Sequence, residues 1–160
     1  MKLQNFLALL RILMGWIFLW AFLDKLLGLG FATKTSNAWL AGGSPTSGFL
    51  KFATSGPLKT TFESLSGVVL VDWLFMVGLL FLGVSLILGI GLRIVSYTGS
   101  LLLFLMWLSL FPTENNPFLD DHIIYILVLW VLSYSNAGNF WGLGNWWGKT
   151  SIAKSCPILK

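Results

Sequence analysis

From Val68 to Phe111 the chain is apolar almost without interruption, and Asp72 and Arg93 are its only charged residues. An apolar run of that length cannot be covered by the rest of a small soluble domain. Gly89-Ile90-Gly91-Leu92-Arg93 divides it into two segments, Val68 to Ile90 and Ile94 to Phe111, each close to the roughly 20 residues that cross a hydrocarbon core as a helix. Two further segments read the same way. Phe6 to Leu29 carries Arg11 near its start and Asp24-Lys25 near its end, and Pro117 to Ala137 follows the polar stretch Thr113 to Asn116. Composition agrees: 56% of the residues are hydrophobic and 10% are charged, against about 25% charged in a soluble domain.

These spans predict an all-α, polytopic membrane protein. Residues 1–160 form one domain, a four-transmembrane-helix bundle with helices at about 6–29, 68–90, 94–111 and 117–137. A long extracytoplasmic loop, 30–67, joins the first two. The first segment is too long for a cleaved signal peptide and lacks a small-residue cleavage site. The loop is too apolar for a plain linker. Thr46 to Ala53 and Leu58 to Leu65 read as short amphipathic pieces lying on the membrane surface or folding back over the bundle. Gly78, Gly83 and Gly89 are spaced for close helix packing. The Trp-rich tail (Trp141, Trp146, Trp147) suits an anchor at headgroup depth.

With the N-terminus inside, the inner face carries Lys2, Arg11, Arg93, Lys149, Lys154 and Lys160 and no acid. The outer face carries Lys25, Lys34, Lys51 and Lys59 with all six acids. This positive-inside asymmetry places both termini in the cytoplasm. Arg11 reads as a side chain snorkelling to inner-leaflet phosphates.

Ionisable side chains within spans face a bundle interior or cavity, because lipid makes them costly. In an up-down-up-down bundle Asp24, Lys25, Asp72, Asp120, Asp121 and His122 all reach one outer-leaflet depth and build one polar site. Asn116 and Pro117 read as the N-cap and first residue of the fourth helix. The two aspartates that follow complement its dipole. His122, beside Asp121 and one turn before Tyr125, is placed either to move a proton or to pair with Asp24 or Asp72. Asp24-Lys25 fits an interfacial ion pair as well as a functional one. The one His and one Cys (His122, Cys156) exclude a disulfide, a bis-His haem and an ordinary zinc site, so no metal or haem is expected. Trp16, Trp20, Trp73 and Trp107 either wall a quinone-sized slot or serve as core and interface anchors.

The segment Gly15-Trp16-Ile17-Phe18-Leu19-Trp20-Ala21-Phe22-Leu23-Asp24-Lys25 resembles the first-helix signature of the DoxX/DoxD family. Val71-Asp72-Trp73-Leu74-Phe75 and Gly89-Ile90-Gly91-Leu92-Arg93 are similar to its second-helix and hairpin pattern. Glu114-Asn115-Asn116-Pro117-Phe118-Leu119-Asp120-Asp121-His122-Ile123-Ile124-Tyr125 resembles its most distinctive motif, and Ala137-Gly138 with Gly142-Leu143-Gly144 resembles the ending that follows it. The resemblance covers nearly the whole chain. It implies the membrane subunit of a thiosulfate:quinone oxidoreductase, with a DoxA-type second subunit or another redox partner. In that reading His122, Asp121, Asp24 and Asp72 are catalytic, supplying protons to a quinone. Lys25, Asn115, Asn116, Tyr125, Trp20 and Trp73 contact substrate. The partners are the lipid bilayer, quinone and another copy of the chain, with no nucleic acid. The rival expectation is a non-catalytic membrane scaffold or small-solute carrier whose polar cluster holds the bundle together.

Overall fold

The computed structural model describes residues 2–159, and every regular element among them is helical. Lys160, assigned above to the inner face, lies outside the described residues. The long helices are α1 (Leu3–Leu27), α4 (Val69–Leu88), α5 (Leu92–Leu110) and α6 (Asp121–Tyr134). The short ones are α2 (Ser47–Phe52) and α3 (Lys59–Ser64), between α1 and α4, and α7 (Gly144–Trp147) and α8 (Ser151–Ser155) in the tail. At 25, 20 and 19 residues, α1, α4 and α5 are long and apolar enough to cross a membrane. With 14 residues, α6 is apolar but about 21 Å long at 1.5 Å per residue. It is shorter than the 117–137 helix read from the sequence.

Glycines set the helix ends. Gly28 and Gly89 close α1 and α4 in the left-handed region (φ 65° and 72°), and their N–H groups return to Asp24 O and Ser85 O at 2.8 Å. Of the three glycines expected to serve close packing, Gly83 brings two long helices together. A Cβ there would lie 2.7 Å from the backbone nitrogen of Leu19, and Gly15 meets Ile87 and Gly83 from the other side. The backbones of α1 and α4 therefore cross nearly in contact. Gly89 ends α4 and lets the backbone of Gly138 approach, where a Cβ would lie 2.9 Å from its Cα, and a Cβ at Gly78 would make only an ordinary contact with Leu102.

α1 lies along α4, α5 lies along α6, and α4 and α5 form the hairpin between the two pairs. Met14, Phe18, Leu79, Leu82, Leu86, Val95, Leu103, Leu129 and Leu132 fill the centre. The outside is as apolar as the inside: Leu13, Val77, Leu101 and Leu127 are all more than half exposed. Arg11, Asp24, Asp72, Ser85, Ser96 and Ser109 are buried instead. Polar groups within and a continuous apolar exterior are what a bilayer selects.

Arg11 does not snorkel. It has no exposed surface, and its guanidinium reaches across the bundle. Nη1 donates to Leu86 O and, at 2.8 Å, to Ile87 O; Nη2 donates to Phe140 O at 3.2 Å and Trp141 O at 2.9 Å. A helix leaves its last four carbonyls without an intrahelical partner. In α4 these are all answered: Ser85 O by the N–H groups of Gly89 and Ile90, Leu86 O and Ile87 O by Arg11, and Leu88 O by Leu143 N–H. Arg11 is the C-terminal cap of α4 and ties the tail to it, its cation set against the negative end of the dipole.

The connection from α1 to α4 folds against the opposite end. Ser55 donates from its N–H to Ser109 O (3.0 Å) and from its hydroxyl to Leu110 O (2.8 Å), and Trp39 sits edge-on to Trp73 with ring centres 4.7 Å apart.

Candidate functional site

The end of α1, the start of α4, the end of α5 and the start of α6 share one end of the bundle, but their polar residues take separate partners. Asp24 is buried and accepts from the backbone N–H groups of Phe31 (3.3 Å) and Ala32 (3.0 Å), which fixes the reversal after α1. Lys25 makes no ion pair with it. Its ammonium lies 5.9 Å from the centre of the Phe75 ring, a cation–π placement. Asp72 is buried in the first turn of α4, near the positive end of its dipole. Its Oδ1 accepts from Ser44 Oγ (2.9 Å), Thr46 Oγ1 (2.6 Å) and Thr46 N–H (3.3 Å). Charge-assisted bonds of this kind offset the cost of burying a carboxylate.

The start of α6 differs from the sequence reading. Asn116 does not cap the helix. Its Oδ1 accepts from Phe118 N–H (3.0 Å) and Leu119 N–H (3.2 Å), which turns the chain before α6 begins. The cap is Asp120, whose carboxylate takes the N–H of His122 at 3.1 Å and approaches its Nδ1 to 2.6 Å. His122 therefore pairs with Asp120, while Asp121 is exposed. The carboxylate thereby fixes the orientation of the imidazole ring. No hydrogen bond joins His122 to Asp24, Asp72 or Asp121 among the described residues. Tyr125 packs against the core, Asn115 is exposed, and Trp20 stands edge-on to Phe31 at 5.2 Å.

Beside these groups lies a cavity of about 610 Å³ between α4 and α5, bounded by α2 and α3. Pockets for small organic ligands run from about 300 to 1,000 Å³. Its wall is almost wholly apolar and includes Phe49, Phe62, Phe75, Leu102 and Met106, with Gly78 opening space within α4. Polar groups come from Lys25, Thr46, Thr98 and Ser109. Of the site residues expected from sequence, Lys25 lines this cavity. Asp72 stands one hydrogen bond behind it through Thr46, and Asp24, Asp121 and His122 are not part of its wall. The cavity escaped the sequence reading because its wall comes from five separate segments. The one signal was Gly78, a position without a side chain between the bulky residues Val77 and Leu79. Among the described residues no three His, Cys, Asp or Glu side chains gather to hold a metal ion.

Comparison with models of known families, with curated proteins and with solved structures finds no match to this chain.

Proposed function

We propose that this chain is a DoxX/DoxD-type membrane subunit of a quinone-linked oxidoreductase, and that the cavity between α4 and α5 binds the quinone. In this reading α1, α4, α5 and the shorter α6 all span the cell membrane, with exposed Phe118 and Leu119 extending the apolar surface ahead of α6. Lys2, Arg93, Lys149 and Lys154, at the end without acids, face the cytoplasm.

The observation that carries the reading is the cavity: apolar and ring-sized, with one half-buried ammonium, Lys25, in its wall. A quinone needs two electrons and two protons to become a quinol. Lys25 donates a hydrogen bond to one carbonyl oxygen. Asp72, bonded to the Thr46 hydroxyl in the cavity wall, holds a proton route one residue behind it. The His122–Asp120 pair and exposed Asp121 exchange protons with the aqueous side, and Asp24 keeps the connection closed over α1. The electrons come from thiosulfate or another sulfur compound on a DoxA-type partner: two thiosulfates joining through a sulfur–sulfur bond release the two that the quinone takes. Quinone reduction by proteoliposomes supplied with thiosulfate, with and without a co-expressed soluble partner, tests this. Reduction that requires the chain and falls at least tenfold in Lys25→Ala is expected, and reduction that ignores both contradicts it.

One observation favours the scaffold or carrier reading. Asp24 and Asp72 each accept several hydrogen bonds that fasten the connecting segment. Protein purified without quinone, and unable to take it up, would decide for that reading.

A further inference from the structure

At the opposite end of the bundle lies a second cavity, of about 340 Å³ and different chemistry. It opens between the α4–α5 hairpin, the last turn of α6 and the tail, and Ser133, Asn136, Asn139, Asn145 and Lys149 line it. The Ser133 hydroxyl, the Asn136 and Asn139 side-chain amides and the Lys149 ammonium make no hydrogen bond or ion pair with another described residue. Asn145 uses one amide hydrogen, on Asn139 O at 3.1 Å. Asn136, Asn139, Asn145 and Lys149 are exposed and Ser133 is partly buried, so these groups edge an open hollow in which a ligand can replace their water.

The electrostatics point the same way. Arg11 lies directly behind the wall: a Cβ on Gly89, which lines the cavity, would be 2.8 Å from Arg11 Nη1. The described partners of that guanidinium are all carbonyl oxygens, whose dipoles offset its charge only in part. All six acids lie in segments at the other end. The cavity begins where the apolar helices stop, at Gly89 and Leu92, and Trp147 lines it within a tail whose exposed Trp141 and Trp146 suit a headgroup-level anchor.

We propose that this cavity binds the phosphate oxyanion of an anionic phospholipid headgroup. Lys149 supplies the charge, Ser133, Asn136 and Asn139 supply donors, and Arg11 supplies a field from behind. The proposal does not depend on the quinone reading. Free phosphate shares the chemistry, so the test separates the two sources.

Delipidated protein in nonionic detergent is titrated with short-chain phosphatidylglycerol, short-chain phosphatidylcholine or inorganic phosphate, and bound molecules are counted by native mass spectrometry. One saturable phosphatidylglycerol site is expected. Lys149→Gln should weaken it about tenfold, equivalent to about 1.4 kcal/mol. Ser133→Ala should also weaken it, and Lys154→Gln, outside the cavity, should leave it intact. Equal binding of phosphatidylcholine overturns the proposal. So does equal weakening by Lys149→Gln and Lys154→Gln, which would mean diffuse attraction, and so does unchanged binding in both Lys149→Gln and Ser133→Ala. Inorganic phosphate binding as tightly as phosphatidylglycerol overturns the lipid as the source.

Discussion

Replacing Arg11 with methionine keeps most of the side chain's length and removes its donors and charge. Two effects oppose each other. Taking a cation out of the interior returns part of a desolvation cost that runs to several kcal/mol. Against this, the buried carbonyl of Leu86 and the partly buried ones of Ile87, Phe140 and Trp141 lose a donor. An acceptor stranded in this way costs about 1–3 kcal/mol. With one of them buried and three partly so the loss outweighs the gain, and breaking a buried charged network typically costs about 3–5 kcal/mol. We expect Arg11→Met to destabilise by about 3 kcal/mol, which is a fall of about 6–12 °C in melting temperature for a chain of this length. Arg11→Lys, with one ammonium in place of a fork, should recover about half. Thermal unfolding in mild detergent, followed by the reaction of Cys156 with a thiol dye and by circular dichroism, reads both variants. Arg11→Met melting at or above the wild type would refute the capping argument.

Three other outcomes follow from the same geometry. Asp72→Ala removes the acceptor of Ser44 and Thr46, so limited proteolysis should cut between residues 42 and 58 at least tenfold faster, with little change in helix content. Gly83→Val should destabilise by several kcal/mol, because its side chain enters the backbone of Leu19, and a variant that melts like the wild type would contradict the close α1–α4 crossing. In a Cys156→Ser background, cysteines placed at Lys2 and at Thr113 should be labelled from opposite sides of the membrane; labelling from one side at both would remove the four-span topology.

Much of the helical layout was legible because hydropathy acts locally. The ends of α1, α4 and α5 fall within a few residues of the apolar segments, and α2 and α3 lie inside the two amphipathic pieces at 46–53 and 58–65. The start of α6 was misread for a physical reason. An Asn carboxamide that takes the N–H groups two and three residues on does the same local chemistry in a turn as at a helix cap, and only the residues beyond decide which forms. Arg11 was misread because its acceptors lie at Leu86–Ile87 and Phe140–Trp141, far along the chain, while its distance from the N-terminus suited a snorkelling side chain. The candidate site was legible as residue types sharing one end and not as a constellation. Nothing in the spacing of Asp24, Asp72 and His122 says that each will find a nearer partner in Ala32, Thr46 and Asp120.

The central claim is that the cavity between α4 and α5 is the ligand site, and Gly78 gives direct access to it. A Cβ at Gly78 would meet only Leu102 Cδ2, at 3.8 Å, so a leucine there extends into the cavity without striking the backbone. It also replaces a poor helix former, a change worth up to about 1 kcal/mol in stability. The measurement is a titration of purified wild type and Gly78→Leu with a short-chain ubiquinone, with melting temperature recorded alongside. One saturable site is expected in the wild type, with at least tenfold weaker binding in a Gly78→Leu protein that melts no lower. Undiminished quinone binding by Gly78→Leu, or none by the wild type, would contradict it.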